Sequence, residues 1–187
     1  MGASSLMNGR ETAHGLLCSF LKRPFPMMIA APESVAKNAP ARQVGNSMAK
    51  PALRVEGDPD RRKALLLEDD ESFREIMQAF LAEQGLEVVP VQNGVEGVHE
   101  VLASDFDAIL CDMNMPTLPG DMFYRAVERM RPHLCERFIF MTGYRGNSKV
   151  NDFMKSVDGI ALIKPFHMED LQELLAFVEL RTLLAAS

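Results

Sequence analysis

From Arg61 onward the chain alternates between two hydrophobic rhythms. Short apolar runs recur at Ala64–Leu67, Val88–Val91, Asp107–Cys111, Phe138–Met141 and Ile160–Ile163, each the length of a buried strand. Between them apolar residues fall at helical spacing. Phe73, Ile76, Met77, Phe80 and Leu81 sit at i, i+3, i+4, i+7 and i+8, one stripe that Gly85 closes. Val95, Val98 and Leu102 predict a second helix, and Phe123, Val127 and Met130 a third. Val150, Phe153, Met154 and Val157 predict a fourth, and Leu171, Leu174, Leu175 and Val178 a fifth.

Five strands, each followed by a helix, predict an α/β fold: a doubly wound parallel sheet covered on both faces. The strands are nearly continuous in apolar residues, as burial on both sides requires. Val88-Val89-Pro90-Val91 is the exception, because proline cannot donate a ladder hydrogen bond and belongs at an edge. A 2-1-3-4-5 strand order satisfies this. It sets the first and third strands side by side where the order reverses, and ligands of such sheets bind there, outside the carboxyl ends of the strands.

The first 60 residues follow neither rhythm. Pro24, Pro26, Pro32, Pro40, Pro51 and Pro59 interrupt them, and they are read as a basic extension mostly without a fixed fold, ahead of a folded unit at 61–184 with no output domain. Charge divides the chain in the same place. Residues 1–55 hold seven basic and two acidic side chains, whereas 56–187 hold 13 basic and 24 acidic ones, a balance of -11. That sign argues against a nucleic-acid partner for the folded part. No apolar run approaches the ~20 residues of a transmembrane helix. Cys18, Cys111 and Cys135 are odd in number and far apart, which suggests a reducing compartment rather than disulfides or a zinc site.

The predicted strand ends carry the chemistry. The first strand runs into Glu68-Asp69-Asp70-Glu71, and the third ends on Asp112. Asp70 and Glu71 suit the cap and first turn of the following helix. Glu68, Asp69 and Asp112 would converge at the switch point, where like charges need a cation; hard oxygen ligands of this kind suit Mg²⁺. Thr142 follows the fourth strand and Lys164 the fifth. An aspartate, a divalent cation, a hydroxyl and an ammonium are the parts required to move a phosphoryl group.

Glu68-Asp69, Asp112 in "DMNMP", Thr142 and "KPF" at Lys164–Phe166 together resemble the receiver domain of two-component response regulators and hybrid histidine kinases. The resemblance runs from about Lys63 to Leu180, roughly two thirds of the chain. It implies a flavodoxin-like (βα)5 fold and a phosphorelay role in the cytoplasm. In that role Asp112 accepts a phosphoryl group from the phosphohistidine of a sensor histidine kinase or histidine phosphotransfer protein. The output would be contact with a downstream protein target, with no enzyme activity beyond self-phosphorylation and self-dephosphorylation. By the same resemblance Asp69 ligates Mg²⁺ directly, Glu68 does so through water, and the Asn114 carbonyl is a further ligand beside Asp112. Thr142 binds the phosphoryl oxygen, and Lys164 pairs with Asp112 or its phosphate. The Lys164–Pro165 bond resembles one that is cis in the family, Gly143 leaves the approach to Asp112 open, and Asn114 and Tyr144 tune dephosphorylation.

One position departs from the pattern. Receivers commonly carry Tyr or Phe three residues before the lysine, and here the residue is Ala161. An aromatic switch at that position is impossible, which favours a relay role. Two other functions share parts of this chemistry. A Mg²⁺-dependent phosphohydrolase of the haloacid-dehalogenase type also uses an aspartate nucleophile, but needs an acid two residues later, where this chain has Asn114. A degenerate receiver would only bind partners, yet every phosphorylation residue is present.

Overall fold

The computed structural model describes residues 28–30, 62–143, 148–157 and 159–185. Its strands are β1 (Met28–Ala30), β2 (Lys63–Leu67), β3 (Glu87–Val91), β4 (Ala108–Asp112), β5 (Phe138–Thr142) and β6 (Ile160–Ile163). The helices are α1 (Glu71–Glu83), α2 (Gly94–Ala103), α3 (Gly120–Met130), α4 (Ser148–Val157) and α5 (Met168–Ala185), with a 3-10 segment at Pro132–Arg137. All six strands pair in parallel in the order β1-β6-β5-β4-β2-β3. Five of them reproduce the predicted 2-1-3-4-5 order. As expected from Pro90, β3 is an edge, with Pro90 opposite Leu66 and exposed.

Local chemistry sets the helix ends. Asp70 caps α1 by accepting from the Phe73 amide at 2.9 Å. After Gln84, Gly85 takes a positive φ of 82° and its N–H donates to the Ala82 carbonyl at 3.0 Å, which terminates the helix. Asn93 caps α2 through the Val95 and Glu96 amides, and Glu96 reaches back to the Gln92 amide at 3.0 Å, a reciprocal cap.

The sheet separates two apolar layers. On one face Leu65, Leu67, Ile109, Cys111, Phe138 and Phe140 meet α2, α3 and α4. On the other, Ala64, Leu66, Leu110, Ile139 and Met141 meet α1 and α5. Both rows of side chains from β4 are therefore buried, which explains why its sequence is apolar without alternation.

The structure corrects the sequence reading in three places. Ile76, assigned to the buried stripe of α1, is 56% exposed; Met77 and Leu81 are the fully buried members. Val95 and Leu102, from the apolar spacing that predicted α2, are exposed as well, as is Met130 at the end of the α3 stripe, and α2 buries Gly94, Gly97 and Val101 instead. A Cβ at Gly97 would lie 2.6 Å from Leu67 Cδ2, so α2 approaches the sheet through a glycine face that a hydrophobicity pattern does not register. The third correction is β1. Met28–Ala30 lies within the stretch read as lacking a fixed fold, yet it joins the sheet beside β6. Three residues between proline-rich flanks are too short to display a period, and their partner is distant in sequence. The remainder of residues 1–60 lies outside the described residues, as does Tyr144.

Candidate functional site

Four strands deliver their chemistry to one end of the sheet, and the parallel ladder continues just past their tips. The Glu68 amide donates to the Val91 carbonyl at 3.2 Å, the Met113 amide to Met141 at 2.9 Å and the Lys164 amide to Thr142 at 2.8 Å. The residues flanking each tip are thus fixed by backbone hydrogen bonds rather than carried on free loops.

Glu68 and Asp112 are buried, at 1% and 7% exposure, while Asp69 faces solvent. Carboxylate oxygens of the three lie within 4.8 Å of one another, the only group of three or more possible metal-binding side chains of this kind among the described residues. Lys164 Nζ bridges two of them, donating to Asp112 Oδ2 at 2.6 Å and to Glu68 Oε2 at 2.7 Å. The other Asp112 oxygen, Oδ1, accepts the Asn114 amide at 2.9 Å. Thr142 is fully buried at the tip of β5, and the Lys164–Pro165 bond is cis. Glu68, Asp69, Asp112, Asn114, Thr142 and Lys164, all predicted from sequence, are therefore grouped at the same end of the sheet. A Cβ on Gly143 would meet nothing within 4 Å, so this position adds no wall.

Burial pushes the Glu68 carboxyl above the ordinary carboxylate range, an effect that its bond to Lys164 opposes without reversing. Burial also works against the Lys164 charge, but the hydrogen bonds it donates to Asp112 and Glu68, with their negative charges, hold the ammonium above its ordinary range. The lysine is a firmly charged cation facing an excess of carboxylates. That arrangement fits a divalent ion: the oxygen donors outnumber the cation already present, and Asp69 remains open to water.

Sequence reasoning did not find three supporting residues. Phe73 was read only as a core residue, but its ring centroid lies 4.5 Å from Lys164 Nζ, and Phe166 packs edge-on against it at 5.9 Å. Arg74 Nη1 donates to the backbone carbonyl of Glu68 at 2.8 Å and fastens the first acidic tip. Gly120 opens α3 so close to β4 that a Cβ there would lie 2.6 Å from the Asp112 carbonyl oxygen. Nothing in the spacing marks Phe73 or Arg74; Gly120 is visible only as a glycine beside a proline.

The response regulator receiver domain matches residues 64–176, more than half of the chain. The chain belongs to this family. Among curated relatives, the receiver is 29% identical over 110 residues to the response regulator receiver protein CpdR of Brucella abortus, covering 59% of this chain and 90% of CpdR. It is 30% identical over 108 residues to the transcriptional regulatory protein ZraR of Klebsiella oxytoca, covering 58% of this chain but 24% of ZraR. Among solved structures, the Vibrio cholerae chemotaxis protein CheY4 is 27% identical with a TM-score of 0.57, covering 63% of this chain and 98% of CheY4. The receiver domain of the Pseudomonas aeruginosa sensor histidine kinase PA1611, solved with magnesium coordinated in its active site cleft, is 26% identical with a TM-score of 0.55 over 61% of this chain and 93% of that domain. Receivers of this kind are signalling modules of two-component systems, and the acidic cluster here is of the type that binds Mg²⁺ in them. Among the described residues no helix is long and apolar enough to cross a membrane.

Proposed function

We propose that Asp112 is the phosphoacceptor of this receiver. The observation that carries the reading is the bridging of Asp112 and Glu68 by Lys164 inside a cluster of three carboxylates. A carboxylate oxygen of Asp112 attacks the phosphorus of a phosphohistidine. The new O–P bond makes an acyl phosphate as the P–N bond breaks, and the imidazole leaves with its electron pair and takes up a proton. In this reading Lys164 offsets charge on the phosphoryl oxygens, and the Thr142 hydroxyl donates to one of them. Glu68, Asp69, Asp112 and the Asn114 carbonyl would hold Mg²⁺, which when bound neutralises phosphoryl charge.

The donor in this reading is a sensor histidine kinase or a histidine phosphotransfer protein, and the output is contact with a downstream protein. The -11 balance of residues 56–187 supports protein contact over nucleic acid. The chemistry stays within the protein's own phosphorylation and dephosphorylation. Residues 61–184 act as the receiver and 1–60 as an extension, and the free cysteines Cys111 and Cys135 fit a cytoplasmic setting. Acetyl phosphate with Mg²⁺ tests the assignment by intact mass. The wild type should gain one phosphoryl group, and Asp112→Asn should gain none. An unmodified wild-type protein would leave a module that only binds partners.

A further inference from the structure

The two flanks of the five-stranded core are protected in different ways. An open strand edge presents unpaired N–H and C=O groups to any other strand, and natural sheets blunt it with proline, charge or cover. β3 protects itself: Pro90 withholds a donor, and Glu87 faces Lys63 of the neighbouring strand at 3.9 Å. β6 has no such device. Ile160-Ala161-Leu162-Ile163 contains no charge, no proline and no glycine, and all four residues are buried. A short, uncharged, apolar strand is the kind of segment to which another strand readily adds.

That edge is occupied from within the chain. Met28, Ile29 and Ala30 run parallel to β6 in register with Ala161, Leu162 and Ile163. Thirty-two residues separate Ala30 from Lys63. Extended, they reach on the order of 100 Å, so the tether does not constrain the docking. A covalent linkage makes the pairing intramolecular, so the segment competes for this edge independently of protein concentration. At three residues β1 makes few ladder bonds, so it can hold the edge and still be displaced.

We propose that Met28–Ala30 is an intramolecular cover on the outer edge of β6, which a strand-adding partner must displace before it can pair there. The cover ends beside the functional site. Ala30 is the register partner of Ile163, and the next residue, Lys164, holds Asp112 and Glu68. A partner taking this edge would therefore seat itself one residue from the site. The cover rests on sheet pairing alone and stands whether or not Asp112 is phosphorylated.

Hydrogen exchange on the full chain tests the cover directly. In the wild type, the amides of Ile29, Ala161 and Ile163, which the parallel register aims across the β1–β6 pair, should exchange at least about tenfold more slowly than in an unstructured peptide. In Ile29→Pro, β6 should lose about tenfold in protection while β4 keeps its own. Free-peptide exchange at Ile29 in the wild type would overturn the proposal, and this measurement decides even if the variant fails to fold. A labelled peptide spanning residues 25–33 tests displacement: it should bind Ile29→Pro at least about tenfold more tightly than the wild type. Equal binding to a folded variant would equally overturn it.

Discussion

Replacing Lys164 with methionine isolates the charge that holds the site together. The substitution keeps an unbranched stem beside the Phe73 ring and removes only the ammonium. At an effective dielectric constant of about 20, contacts at 2.6 and 2.7 Å each correspond to roughly 6 kcal/mol of gross attraction. Desolvation of the three groups cancels much of this. Removing one member of a buried ion pair costs about 3–5 kcal/mol, and the 23% exposure of the Lys164 side chain places this case near the lower end, at about 3 kcal/mol. For a folded unit of this size that is a fall in Tm of roughly 10 °C.

The fall belongs to metal-free buffer. Without Lys164, three carboxylates within 4.8 Å have no counter-charge, so a divalent cation has more repulsion to relieve. Thermal melts by circular dichroism, in EDTA and in saturating Mg²⁺, measure both effects. The Mg²⁺-induced rise should be several degrees larger in Lys164→Met than in the wild type. A fall below about 3 °C in EDTA, or an equal Mg²⁺ response in the two proteins, would refute the electrostatic account.

Four further outcomes follow from the geometry. In EDTA, Asp112→Asn should raise Tm by a few degrees, because repulsion by Glu68 and Asp69 is removed while Lys164 keeps Glu68, a gain that outweighs the one acceptor lost among the bonds to Lys164 and the Asn114 amide; a lower Tm would count against this. Gly120→Ala should cost about 1–3 kcal/mol in denaturant melts and slow phosphorylation by acetyl phosphate, since its Cβ must push the Asp112 backbone away. Ala161→Phe should cost a similar amount, because Ala161 has no exposed surface in a packed layer; an unchanged Tm would mean the layer has room. Asp105 accepts from His133 and Arg131, which hold its carboxyl below the ordinary 3.8. A depressed carboxylate stabilises above its unfolded value and loses that contribution as pH falls through the folded one. The Tm gap between wild type and Asp105→Asn should thus be small but present near about pH 6 and close toward about pH 3, the pair being exposed and worth under about 1 kcal/mol.

Pro90 and the strand-end residues explain why the architecture was readable before any coordinates. A proline in an apolar run has one place in a sheet, and chemistry at successive strand ends must meet once those strands lie in parallel. What escaped the sequence depends on distances along other axes. α2 faces the sheet with Gly94 and Gly97, which carry no apolar signal, so Val95 and Leu102 were turned the wrong way. Phe73 and Arg74 act through the ring face over Lys164 and a backbone carbonyl, contacts whose partners are remote or leave no mark on residue type. β1 pairs across more than a hundred residues and borrows its order from β6.

The aromatic content of the helix layers has a practical corollary. Tyr124 on α3 is wedged among Phe138, Phe140 and Phe153, with ring centroids 5.0–5.7 Å away. The chain has no tryptophan and only two tyrosines, and among the described residues the opposite layer holds no tyrosine. Emission from Tyr124 will therefore report on the side of the sheet built from α2, α3 and α4. Rearrangements confined to α1 or α5 will leave the surroundings of Tyr124 unchanged, and among the described residues only the phenylalanines of that layer can register them in the near ultraviolet.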